Sequence, residues 1–168
     1  MVAARLFRRV APFLVLAALI ALPAPTVASA ELAVRGGGVV DGPLGTTSQL
    51  AFTATSSGGS FLCVMAGRSG GFPFGPWQNV QQMLVQGRVT PGSLSISGGV
   101  ATFSGTATIH VVGTTSSGRL AVTMSDVPFV STQAAGGAGV AWHLLEVPGV
   151  GAFGPETMKT GRITIWEP

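Results

Sequence analysis

The sequence predicts an all-β fold, an antiparallel meander of about eight strands rolled into a barrel. Apolar and hydroxyl-bearing residues alternate with a period of two in most segments, which is typical of half-buried strands. The chain also holds 25 glycines and 11 prolines, many of them between these segments. No window carries a capped amphipathic helix. A two-sheet β-sandwich is the alternative, but its crossovers would have to use the two long loops predicted at residues 67–77 and 148–160.

The first 30 residues predict a secretory signal peptide. Three arginines precede an apolar run over residues 11–22, and Ala28-Ser29-Ala30 forms a small-residue cleavage site before Glu31. The run is shorter than the roughly 20 residues that cross a bilayer, which favours cleavage over an uncleaved membrane anchor. We therefore expect a single β-domain over residues 31–168, secreted to the extracellular side by the general secretory route.

The strands are predicted from the same alternation, taken in chain order. Leu50, Phe52 and Ala54 alternate with Ala and Thr, whereas residues 61–66 form a nearly continuous apolar run that is typical of a more buried strand. In order, the extended segments cover residues 32–41, 50–55, 61–66, 82–90, 93–97, 100–112, 119–125, 140–147 and 162–166. This gives eight or nine strands.

The clearest hairpin joins residues 93–97 to residues 100–112. Gly98-Gly99 supplies the two flexible central residues of a tight turn. Gly105 interrupts the apolar row of the second strand, which predicts a bulge or a bend there. Residues 114–118 form the next polar turn, so three consecutive strands make a meander.

Charge and cysteine content limit the classes of partner. The whole chain carries a formal net charge of +3, but three of its nine basic residues lie in the leader, so residues 31–168 are formally neutral. A basic surface for nucleic acid is therefore not expected, nor is membrane insertion after cleavage. The single cysteine, Cys63, cannot form an internal disulfide, and its apolar surroundings predict a buried small side chain.

A resemblance to a known family runs along most of the mature chain. It is carried by Gly36-Gly37-Gly38, by residues 50–54, by residues 89–107 with the hairpin described above, and by Thr160-Gly161-Arg162-Ile163-Thr164-Ile165. These segments resemble the post-choice-of-anchor domains of bacterial exported proteins, which often follow other modules in surface proteins. The resemblance implies an extracytoplasmic β-domain and assigns no catalytic residue.

Few side chains are suited to catalysis or metal binding. His110 lies on the threonine-rich face of its strand, where an exposed or hydrogen-bonded imidazole is expected. His143 and Glu146 form an H-x-x-E sequence, but an odd spacing on a strand sends the two side chains to opposite faces. Zinc sites need three or four ligands, and no nucleophile motif of the G-x-S-x-G type occurs. We therefore expect no enzyme activity, no cofactor and no metal site.

The glycine cluster Gly36-Gly37-Gly38 precedes Val39-Val40-Asp41-Gly42 and superficially resembles a phosphate-binding loop. Such a loop needs a following helix whose N-terminus holds the phosphate. Because no helix is predicted there, turn and bulge geometry is the better interpretation.

Two binding hypotheses remain open. A closed barrel of the lipocalin type can hold a small apolar ligand, with Phe72, Phe74, Trp77 and Phe153 on long loops at its mouth; alternatively, these aromatics plug one end of a filled barrel. A flat hydroxyl surface can contact a glycan, ice or another chain, and its predicted members are Thr53, Thr55, Thr102, Thr106, Thr108 and Thr123. Ordinary solvated sheet also explains these threonines.

The leading functional hypothesis is a non-catalytic secreted or cell-surface β-domain with a structural or interaction role, whose partner is a protein or a surface glycan. Binding of a small apolar ligand inside the barrel is the first alternative, and an enzyme of unknown type is the second.

Overall fold

The computed structural model describes residues 31–67 and 72–167, and most of them lie in β-strands. The strands are β1 (Ala33–Asp41), β2 (Thr46–Thr55), β3 (Gly58–Gly67), β4 (Phe72–Phe74), β5 (Trp77–Val89), β6 (Ser95–Ser97), β7 (Val100–Thr115), β8 (Gly118–Ala134), β9 (Trp142–Val147) and β10 (Gly151–Trp166). A 3₁₀ turn, Pro43–Gly45, joins β1 to β2. The predicted leader, residues 1–30, lies outside the described residues.

Eight of these strands form a closed antiparallel barrel. Their order is β1-β2-β3-β5-β7-β8-β9-β10, and β10 pairs back with β1. The two short strands β4 and β6 extend hairpins on β5 and β7. The predicted meander rolled into a barrel is therefore confirmed, and the alternative sandwich is not formed. Closure gives each barrel strand two neighbours, so the sheet has no long open edge. No helix of the described chain has the length and apolar character to cross a membrane.

Four phenylalanines fill the middle of the barrel. Phe52, Phe61, Phe103 and Phe129 are all buried. The Phe61 and Phe129 rings stack with centroids 5.0 Å apart, and Phe103 meets Phe129 edge to face at 6.3 Å. At this level the barrel is a packed core, since a barrel of eight strands is just wide enough for side chains to fill.

Gly105 lies beside these rings, where there is no space for a side chain. A Cβ atom at Gly105 would overlap the carbonyl oxygen of Arg88 and lie 2.8 Å from the Phe129 ring. Gly105 stays in register with Val89 and Phe129, so the predicted bulge is absent at this position. The glycine instead makes room for an aromatic ring on the neighbouring strand.

The segment predicted as a loop at residues 148–160 lies mostly in β10, so that prediction is wrong. This part of β10 contains a bulge, in which Gly154 and Pro155 both oppose Leu144. The glycine and proline of the bulge give the segment the composition of a loop. A bulge tolerates proline because the regular hydrogen-bond ladder is interrupted there. Phe153 therefore lies on a strand and not on a loop.

Three other boundaries differ from the sequence prediction. Residues 72–74 of the other predicted loop form β4, and Trp77 begins β5. Strand β8 continues to Ala134, beyond the predicted end at residue 125, through a bulge where Asp126 adopts a φ of 57°. The glycine cluster at residues 36–38 lies inside β1, as the predicted strand over residues 32–41 requires, and a bulge follows the cluster between Val39 and Val40, whereas the predicted turn is absent.

We predict that Gly105→Ala lowers the free energy of unfolding by about 1–3 kcal/mol or more, the range found for overpacked cores. The added methyl group would contact both the Arg88 backbone and the Phe129 ring. Gly37→Ala is the matched control, because its Cβ would meet only the Leu50 carbonyl oxygen, at 3.4 Å. Urea unfolding of both variants measures the difference, and equal destabilisation would contradict this account of Gly105.

Candidate functional site

A shallow groove of about 770 Å³ runs across the outside of the barrel. An adjoining hollow of about 690 Å³ continues it and shares Ser60, Gln86 and Gly87 with it. Register places their outward side chains in two cross-strand rows over β10, β1, β2, β3, β5 and β7. One row is Thr164, Arg35, Thr53, Ser60, Arg88 and Thr106, and the other is Arg162, Gly37, Ala51, Leu62, Gln86 and Thr108. We call this surface the arginine groove.

The groove is concave because of small residues in the middle of the second row. Gly37 has no side chain and its neighbour Ala51 has only a methyl group. The longer side chains of Arg162 and Leu62 stand on either side of this pair. Leu62 is 37% exposed, which is unusual for a leucine and leaves an apolar contact surface in the groove.

Positive charge is concentrated in the groove. Arg35, Arg88 and Arg162 belong to the two rows, whereas Asp126 is the one acidic residue in the groove's described lining. None of these arginines makes an ion pair with a described acid. The Arg35 guanidinium lies 4.7 Å above the ring of Trp166, which is 39% exposed.

The predicted aromatic mouth is partly assembled at the barrel end where β3 finishes and β10 begins. The Phe74 ring lies 6.0 Å from Trp77 and 5.2 Å from Phe153. Phe72 pairs with Val80 in the β4–β5 hairpin, but its side chain lies outside the described part of the structure. Phe74 and Phe153 line a hollow of about 200 Å³, with Glu156 also in its wall.

A row of buried polar side chains crosses the interior beneath that hollow. Gln133, His143 and Glu156 occupy directly paired positions on β8, β9 and β10 and are all buried. The Ser48 hydroxyl donates to Glu156 Oε1 at 2.8 Å, and the Gln133 amide donates to Ser131 at 2.6 Å. Four buried atoms have no hydrogen-bond partner among the described residues: Gln133 Oε1, both His143 ring nitrogens and Glu156 Oε2.

Burial shifts the titration of two groups in this row. Desolvation lowers the pKa of His143 to about 3, so the ring is neutral at physiological pH. Desolvation also raises the pKa of Glu156, with a further upward contribution from Asp41, while the Ser48 hydrogen bond opposes it. Asp41 itself pairs with Lys159 at 3.7 Å.

Several sequence predictions about single residues are confirmed. His143 points inward and Glu146 is exposed, as the odd spacing predicts. His110 Nδ1 hydrogen-bonds the Thr123 hydroxyl at 2.8 Å on the outer face. Cys63 is fully buried, and burial raises the pKa of its thiol.

In the described residues, no group of three or more His, Cys, Asp or Glu side chains is placed to hold a metal ion.

The predicted hydroxyl surface is divided by the curvature of the barrel. Thr53, Thr106 and Thr108 lie in the arginine groove. Thr102 instead hydrogen-bonds Thr132, and Thr123 bonds His110. Thr55 lies on β2 beyond the two rows, where its hydroxyl contacts Ser57.

Sequence reasoning missed the convergence of the arginines and the buried Glu156. The spacing of Arg35, Arg88 and Arg162 carries no local motif, because only the pairing of five strands, from β10 through β1, β2 and β3 to β5, aligns them. Glu156 lies in a stretch of loop-like composition, and the bulge that turns it inward has Gly154-Pro155 as its only sequence signal.

Comparison of the chain with protein-family models, with curated proteins and with solved structures finds no match.

We predict that His143 makes the protein less stable as the pH falls from 6.5 towards 3. The unfolded imidazole takes up a proton in this window while the buried ring does not, so protonation favours the unfolded state. At pH 4.5 the loss is about 2–3 kcal/mol, from about 1.4 kcal/mol per pH unit. Glu156 has the opposite effect at pH values above its unfolded pKa. There, acidification raises the free energy of unfolding, because the folded carboxyl group binds a proton more readily than the unfolded one.

Urea unfolding of wild type and His143→Leu at pH 7 and pH 4.5 isolates this contribution. The variant is expected to lose less stability on acidification than the wild type. His110→Leu is the matched control and is expected to keep the wild-type dependence. If the free energy of unfolding of His143→Leu depends on pH as it does in the wild type, then His143 is not the cause of that dependence.

Proposed function

We propose that the mature chain is a non-catalytic, exported cell-surface domain that binds an acidic glycan along the arginine groove. The expected signal peptide and the resemblance to post-choice-of-anchor domains support an extracytoplasmic location. The single observation that carries the glycan proposal is the set of unpaired arginines on one concave face of a formally neutral domain.

The arrangement of the arginines favours an anionic ligand. Arg35 faces Thr164 across the β1–β10 pair, so Arg162 is its diagonal neighbour at about 7–8 Å. That distance separates the backbone positions, and two like-charged side chains on such neighbouring positions repel each other, so a carboxylate between them relieves the repulsion. Guanidinium groups also bind carboxylates in a planar, two-pronged geometry.

The spacing along the groove favours a polymer over a small anion. Arg88 lies on β5, three strands from Arg35 on β1, which corresponds to about 14 Å along the sheet at a strand spacing of about 4.8 Å. A single small anion cannot reach both positions. An extended chain that carries a carboxylate on many of its sugar units can contact both.

The rest of the groove suits sugar rings. Thr53, Ser60 and Gln86 offer exposed hydroxyl and amide groups to ligand hydroxyls. Leu62 offers exposed apolar surface to the C–H faces of sugars.

A second candidate function, binding of a small apolar molecule, is favoured by one specific observation. The hollow of about 200 Å³ at the barrel end is lined by Phe74 and Phe153, two of the aromatics expected at a ligand-binding mouth. The phenylalanines that fill the middle of the barrel confine such a ligand to this end.

We predict that the double variant Arg35→Gln/Arg162→Gln binds a carboxylated polysaccharide, polygalacturonate, about tenfold more weakly than the wild type. Each exposed charge pair contributes up to about 1 kcal/mol, and 1.4 kcal/mol is tenfold. Isothermal titration calorimetry at low and raised salt measures the effect, and salt is expected to weaken wild-type binding by screening.

The matched control is Arg119→Gln/Lys159→Gln, which removes the same charge outside the groove and is expected to keep wild-type affinity. Equal weakening by both double variants would show that net charge alone drives binding. Equal affinity for neutral dextran, or groove-dependent binding of polyglutamate without binding of polygalacturonate, would exclude the acidic-glycan assignment.

A further inference from the structure

The hollow at the barrel end has two polar side chains, Thr46 and Glu156, in an otherwise mainly apolar lining. Its apolar surface comes from Met65, Phe74, Val150 and Phe153, on β3, β4, the β9–β10 turn and β10. Glu156 is the charged residue in that lining, and it is only 2% exposed. The hollow is thus an apolar space with a carboxyl group in its inner wall.

The carboxyl group is only half satisfied. Ser48 donates to Oε1 at 2.8 Å, which fixes the orientation of the group. Oε2 has no hydrogen-bond partner, although it is buried. A buried carboxyl oxygen without a partner costs free energy, so a donor that reaches Oε2 gains more here than it would in water.

A bulge in β10 places the carboxyl group in the hollow. Phe153 and Glu156 are three residues apart, and on a regular strand they would point to opposite sides. Gly154 and Pro155 oppose Leu144 alone, so β10 holds one extra residue here, and this restores the inward direction of Glu156. As a result Phe153 pairs with Leu145 and Glu156 with His143, and both point into the barrel.

We propose that this hollow binds a small, mainly apolar molecule whose single hydroxyl or amino group donates a hydrogen bond to the carboxyl group of Glu156. The inference rests on the second candidate function and names its ligand class. A volume of about 200 Å³ is well above the roughly 30 Å³ of one water molecule. It is below the roughly 300–1,000 Å³ of sites for drug-sized ligands, so the ligand has about one aromatic ring and a short chain.

Other polar groups near Glu156 do not take over this role. Asp41 is engaged with Lys159 at 3.7 Å on the outside of the barrel end. His143 faces Glu156 from β9, but His143 is absent from the lining of the hollow. Cys63 is buried on β3, also away from that lining. Ser48 is already used as the donor to Oε1, and the Thr46 hydroxyl donates to the Pro43 carbonyl oxygen at 3.1 Å.

Three isosteric probes test the proposal on the purified protein by calorimetry: 2-phenylethanol, 2-phenylethylamine and propylbenzene. At least one of the two donor-bearing probes is expected to bind about tenfold more tightly than propylbenzene, the effect of one buried hydrogen bond. Glu156→Met is expected to remove this preference while retaining propylbenzene binding. Glu146→Met changes an exposed glutamate on β9 and is expected to leave all three affinities unchanged.

A second variant keeps the test independent of Glu156. Val150→Phe fills the hollow from the β9–β10 turn and is expected to abolish binding of all three probes. If propylbenzene binds and Val150→Phe blocks it, but neither donor-bearing probe is preferred, the apolar-ligand function stands and the role of Glu156 is overturned. If no probe binds the wild-type protein, both the second candidate function and this inference are overturned.

Discussion

The pairing of β5 with β7 is the constraint on which the rest of the structure depends, because it closes the sheet. In a closed barrel every strand residue points either into the core or to the outside. Because the sheet is closed, Phe52, Phe61, Phe103 and Phe129 share one interior. Closure also leaves space only for a glycine at position 105 beside these rings. It also aligns outward side chains from distant parts of the chain, since successive strands continue the same cross-strand rows.

The two candidate sites follow from the two ways in which this barrel departs from an ideal one. On the outside, Gly37 and Ala51 remove bulk where Arg35 and Arg162 converge, and a convex wall becomes a groove. At one end, the β10 bulge turns Glu156 into an apolar hollow. Both features place uncompensated polar groups where a ligand can satisfy them. Both binding proposals rest on these groups, since a ligand can pair with the arginines of the groove and with the carboxyl group of Glu156.

The interior row of Gln133, His143 and Glu156 gives the barrel a pH-dependent stability. The neutral state of buried His143 destabilises the fold in acid, whereas the raised pKa of Glu156 has the opposite sign. These groups occupy paired positions on three adjacent strands, so they share one environment. Their unpaired atoms carry a desolvation cost that aromatic packing elsewhere in the core has to offset.

The sequence by itself determined the all-β class, the meander and the burial of Cys63, because alternation with a period of two reports locally which face of a strand is apolar. It also indicated Phe74, Trp77 and Phe153 as neighbours, although it placed Phe153 on a loop. Only the tertiary structure decided that residues 151–166 form a strand, because glycine and proline in a bulge have the composition of a loop. It alone brought Arg35, Arg88 and Arg162 together, since their proximity depends on strand register, which no local pattern contains.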